Sequence, residues 1–152
     1  MIGAFRRRGR WRDNGGCRWG ALLLLVAVLA PLPTRAAAGG AWIGDEQAPT
    51  LRHGGRDYHR TLTPPDGLPQ GRVSTVSWRY ELLPLNTALQ AALCHRRHCV
   101  PLAAARGQTT GFAGLPVAGA WTFHFGMPGE GQRLAPRLRG GPLQLIVNYT
   151  TS

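Results

Sequence analysis

The chain holds 21 glycines and 12 prolines in 152 residues. From residue 39 onward, one or the other breaks the sequence about every ten positions. Between the breaks, apolar side chains recur with a period of two, the spacing of a strand with one buried face. A sequence punctuated this densely favours short strands over helices. The clearest run is RVSTVSWRYEL, residues 72–82, in which Val76, Trp78, Tyr80 and Leu82 share one face and Thr75, Ser77, Arg79 and Glu81 the other. Pro84 ends it.

LQAALC and CVPL read as the two arms of a hairpin with His95-Arg96-Arg97-His98 as its exposed tip. WTFHFGM (121–127) and LQLIVNY (143–149) read as two more strands. Weaker strand signals lie near Thr50–Leu51, Asp57–Leu62, Thr109–Ala113 and Arg133–Leu138, with loops over 63–71 and 127–132. LPLNTALQAAL competes as a short helix capped by Thr87, but strand is preferred because the segment runs directly into the hairpin turn. The expected fold is all-β, an antiparallel β-sandwich (Ig-like) of about seven or eight short strands.

The N-terminus has a different character. MIGAFRRRGRWRDNGGCRWG is basic, ALLLLVAVLAPL is apolar, and PTRAAAGG offers small residues at a cleavage site. These are the parts of a secretory signal peptide. The apolar run falls short of the roughly 20 residues a membrane helix needs. Residues 1–38 are therefore expected to be a cleaved leader, with cleavage after Ala36 or Ala38, and residues 39–152 a single domain with no transmembrane segment. Cys17 precedes the apolar run, so it is not placed as a lipoprotein anchor.

The formal net charge of +11 overstates the basicity of that domain. Seven of the eighteen basic residues and one acid lie in the leader, which leaves eleven basic and six acidic residues. Every basic residue is arginine, a bias that looks like GC-rich coding rather than a nucleic-acid footprint. No nucleic-acid partner is expected, although a mildly basic face suits an anionic surface.

An exported chain meets an oxidising compartment, where an even count of two cysteines, Cys94 and Cys99, reads as a structural disulfide. A zinc site using Cys94, His95, His98 and Cys99 would crowd four ligands onto one turn, and a redox pair more often has the Cys-x-x-Cys spacing. The pair is expected to staple the hairpin. The acids Asp45, Glu46, Asp57, Asp66, Glu81 and Glu130 show no catalytic spacing, and His53, His59, His95, His98 and His124 show no ligand spacing. No metal, cofactor or catalytic residue is assigned, and the chain is not expected to be an enzyme. The candidate binding-surface residues are Arg79 and Glu81, for which a cross-strand ion pair is the plain reading, and Phe112. Phe112 is either an exposed aromatic anchor or, preferably, a loop plug.

Six segments occur in order across nearly all of residues 39–152: AAAGGAW, WRYEL, LC-x4-CV, GQTTGFAGLP, MPGEGQRLAPRL and LIVNY. Together they resemble the FlhE family of small periplasmic flagellar proteins. That resemblance implies a β-sandwich in the periplasm that binds flagellar export or basal-body proteins. Its role would be to help seal the type III export channel against proton leak and to support flagellar assembly, in a chaperone-like way. The leader is longer and richer in arginine than the family pattern, and the HRRH tip is more basic. Two other readings are a general periplasmic chaperone or adhesin-like module that captures partners by strand addition, and a carbohydrate-binding or hydrolytic module. The last would require exposed adjacent aromatics or a paired carboxylate cleft.

Overall fold

A computed structural model describes residues 38–68 and 70–151. The leader reading therefore lies outside the described residues except for Ala38. Nine strands form among the described residues: β1 (Ala38–Gln47), β2 (Leu51–His53), β3 (Asp57–Leu62), β4 (Arg72–Leu83), β5 (Gln90–His95), β6 (His98–Pro101), β7 (Arg106–Thr109), β8 (Trp121–Gly126) and β9 (Arg133–Thr151). They make two antiparallel sheets. One has the order β1-β9-β4-β7, with β2 pairing the first part of β9, and the other has the order β3-β8-β5-β6.

The period-two alternation sets which side chains meet between the sheets. Val76, Trp78, Tyr80 and Leu82 of β4 and Leu143, Leu145, Val147 and Tyr149 of β9 are buried on one side, and Leu93, Trp121, Phe123 and Phe125 come from the other. The Tyr80 ring meets the edge of Phe125 with centroids 5.0 Å apart, so the sheets share one core. An edge-to-face aromatic pair is favourable beyond the area it buries.

Three expectations are corrected. The strand preferred through the segment around Thr87 begins only at Gln90, and the competing helix does not form. Asn86 turns the chain instead, its Oδ1 accepting from the Ala88 amide at 2.9 Å, a local bond that competes with helix formation. The weak strand expected over Thr109–Ala113 lies earlier, at Arg106–Thr109, and Thr110–Gly114 is turn. The two C-terminal strand signals are one 19-residue strand, β9. Its middle, Gly140-Gly141, passes so near the turn after β1 that a Cβ on Gly140 would collide with the Ala48 carbonyl. Glycine is required there by close backbone approach.

β1 was not expected from the sequence at all. Its alternation is hidden because two of its inward positions are glycines: a Cβ at Gly40 would lie 2.6 Å from the Tyr149 ring, and one at Gly44 would lie 2.6 Å from Leu62. Trp42 supplies the bulk between them and is buried.

Candidate binding surface

The stapled hairpin forms as expected. Cys94 and Cys99 face each other across β5 and β6, with Cα atoms 4.0 Å apart, and are disulfide-bonded. The four residues between them do not all form an exposed tip. His95 is fully buried. Leu93 and His95 share the inward phase of β5, and the imidazole stacks on Trp121 with centroids 3.9 Å apart and planes 8° from parallel. Its Nδ1 lies 3.0 Å from the Ala120 carbonyl oxygen and its Nε2 2.8 Å from that of Pro116. A singly protonated ring donates one of these bonds and a doubly protonated ring donates both. Arg96 turns the chain in the left-handed region, at φ 56°, and donates from Nη2 to the Ala118 carbonyl at 3.2 Å. His95 and Arg96 thus fasten the hairpin to the loop before β8, while Arg97 and His98 remain exposed.

Phe112 is the plug, not an anchor: it is fully buried and packs edge-on against Trp121 at 5.0 Å. Gly111 and Gly114 let the turn fold its ring inward, so Phe112 contributes nothing to an exposed surface. Trp78 and Tyr80 are buried, and Arg79 and Glu81 are exposed on the outer face of β4.

No cross-strand ion pair forms at Arg79. Register places Arg106 of β7 opposite it on one side and Gln144 of β9 on the other. Gln144 in turn donates from Nε2 to Asp45 Oδ1 of β1 at 2.7 Å. A single row, Asp45–Gln144–Arg79–Arg106, therefore crosses the whole outer face of this sheet. The ion pairs among the described residues both involve Asp57 and histidine, so neither arginine of the row is neutralised there.

The outer face of the other sheet carries a second polar cluster. His59 and His124 are register partners on β3 and β8. His124 Nδ1 lies 2.9 Å from Asp57 Oδ2, and His59 Nδ1 lies 4.0 Å from the same oxygen. Beside them a shallow depression of about 620 Å³ opens over Arg56, Gln90, Ala92 and Met127. Among the described residues no group of three or more His, Cys, Asp or Glu could hold a metal ion. Spacing within one strand does not reveal this cluster, because it depends on which two strands pair. The one available signal is the D-x-H alternation of residues 57–59 against His124, all on outward phases.

Among the described residues no helix is long and apolar enough to cross a membrane.

Residues 48–150 match the family described as "Flagellar protein FlhE". The chain is 36% identical over 133 residues to the flagellar protein FlhE of Salmonella typhimurium strain LT2, covering 87% of this chain and 98% of that relative. It is 35% identical over 122 residues to the FlhE protein of Yersinia enterocolitica, covering 78% and 86% respectively. A solved structure titled "Crystal Structure of FLHE" superposes with a TM-score of 0.70 at 35% identity, covering 76% of this chain and all of that one.

Proposed function

The chain belongs to the FlhE family of flagellar proteins, and from that premise we propose that it is a periplasmic accessory of the flagellar type III export apparatus. It acts by binding export or basal-body proteins, helping to seal the channel against proton leak and supporting flagellar assembly. The observation that carries this reading is family membership across nearly the whole domain, over residues 48–150 in the family match and 87% of the chain against the Salmonella relative. A leader over residues 1–38 delivers the chain to the periplasm, and the Cys94–Cys99 disulfide suits that compartment. The activity is binding rather than catalysis.

A second reading, capture of a partner by strand addition, draws support from β1. This ten-residue strand forms one edge of its sheet, and its outward Ile43 is 58% exposed. Long unpaired edges are templates for an added strand. In that case proline substitutions along β1 would abolish binding while the rest of the fold persisted.

The test of the first reading is a deletion strain carrying rescue plasmids, scored for swimming and for cytoplasmic pH during acid challenge. Loss of motility or of pH control, restored by the wild-type gene, is the expected result. Normal motility and normal pH in the deletion strain would sink the assignment. Failure of a folded Asp57→Ala or His59→Ala protein to rescue would favour chemistry over binding.

A further inference from the structure

The Arg79–Arg106 pair stands apart from the other charged groups of the molecule. Two like charges directly opposite on neighbouring strands destabilise an antiparallel pair, and among the described residues neither arginine has an acidic partner. Asp45 lies in the same row but is engaged by Gln144, with two strands between it and Arg106. Glu81, the next outward residue of β4, packs its carboxylate toward Gly141 of β9 rather than across to β7. Two open depressions flank the outward side chains of Arg79 and Arg106. One depression of about 220 Å³ is lined by Ser77, Arg79, Arg106 and Gln144, with no acid in its wall. A second, of about 350 Å³, lies on the other side of the same two arginines, with Glu81 at its margin.

We propose that Arg79 and Arg106 form an oxyanion-binding site, which takes the terminal carboxylate or phosphate group of a ligand into the acid-free depression beside Ser77 and Gln144. Two planar guanidinium forks present parallel N–H donors, the geometry that suits a carboxylate or phosphate edge-on. The Ser77 hydroxyl and the second Nε2 hydrogen of Gln144 are further donors at the rim. Register fixes the two backbone positions opposite each other, Arg79 on β4 and Arg106 on β7, and both exposed side chains are ordered when the anion binds. The exposed Ile43 and the half-buried Ile146, one row along the same face, extend it with an apolar margin for the rest of the ligand. This inference does not depend on the export role.

The experiment uses full-length protein recovered after export, labelled with 15N and titrated with inorganic phosphate or acetate at constant ionic strength set by chloride. The expected result is saturable movement of the Nε–Hε signals of Arg79 and Arg106. In Arg79→Gln and in Arg106→Gln the affinity falls at least tenfold, whereas Arg97→Gln at the hairpin tip leaves it unchanged. Tighter binding of phosphate than acetate identifies a phosphate-bearing ligand, and equal binding a carboxylate. Stability gives an independent readout, because an anion that binds only the folded state raises its melting temperature. Phosphate should raise the wild-type melting temperature over chloride by clearly more than it raises that of either glutamine variant, which shows only the general effect of an excluded salt. Absence of saturation with either anion, or saturation undiminished in both variants, would overturn the proposal.

Discussion

Trp78 and Arg79 are adjacent in sequence and opposite in consequence. The indole fills the space over Gly107, where a Cβ would lie 2.6 Å from the ring, and its Nε1 donates to the Ala104 carbonyl at 2.9 Å. Trp78→Ala removes that packing and leaves a carbonyl without its donor, so it should cost roughly 3–5 kcal/mol. Arg79→Ala removes an exposed side chain that faces another arginine and should change stability by less than about 0.5 kcal/mol. Denaturant melts of the two variants check the order. The neighbouring Tyr80 carries a pH dependence of its own. Burial pushes its phenol pKa up from 10.0, because the charged form is the one that loses solvation. The folded state thus holds the proton to higher pH than the unfolded chain does. Its contribution to stability is intact below the unfolded pKa and is lost as pH rises through the folded one. Tyr80→Phe should therefore lose less stability than the wild type as pH rises above the unfolded value of 10.0, in paired denaturant melts.

At the scale of single elements, the alternation of β4, β8 and the end of β9 was fully legible, since a buried face leaves its signature every second residue. β1 was not, because Gly40 and Gly44 replace the apolar side chains that would have marked it, and they do so for the sake of Tyr149 on the neighbouring strand and Leu62 across the core. The tip of the β5–β6 hairpin misled for a related reason. His95 has a polar side chain at an inward phase, and only the two carbonyls of the loop before β8, invisible in the sequence, make its burial tolerable. The Arg79–Arg106 pairing was equally hidden, since one residue's outward phase says nothing of its partner across the sheet. The disulfide was readable from compartment and count. It is expected to be intact in protein recovered from the periplasm, which alkylation and mass spectrometry will check. Two free thiols there would contradict it. Replacing both cysteines with serine should cost about 2 kcal/mol in the chain-entropy account of so short a loop. The variant should still fold, because His95 and Arg96 hold the hairpin to the core independently.

Over the whole molecule, the two ends of the described chain lie side by side. Ala38 pairs with Thr151 and Gln47 with Pro142, so β1 runs along the second half of the last strand. Thr151 Oγ1 also donates to the Ala38 carbonyl at 3.0 Å. β9 stands between β1 and β4, hydrogen-bonded to both. That sheet cannot assemble until the final residues are available, and every pairing that β9 makes closes a long loop first. Such non-local topologies fold slowly, in roughly milliseconds to seconds. A chain ending at Pro142 should accordingly fail to fold: it lacks Leu143, Leu145, Val147 and Tyr149 from the core and strands β1 as an isolated edge with no neighbour. A chain beginning at residue 48 loses only the edge strand and Trp42, and exposes one side of β9 instead. It should retain a weakened, association-prone fold, because an unpaired long strand with an apolar neighbour is a template for another chain. Circular dichroism and sedimentation of the two truncations, made with the same leader, distinguish these outcomes. An unfolded C-terminal truncation beside a folded but self-associating N-terminal one is the expected result. Two equally folded monomers would mean that the core is held by the β3-β8-β5-β6 sheet alone.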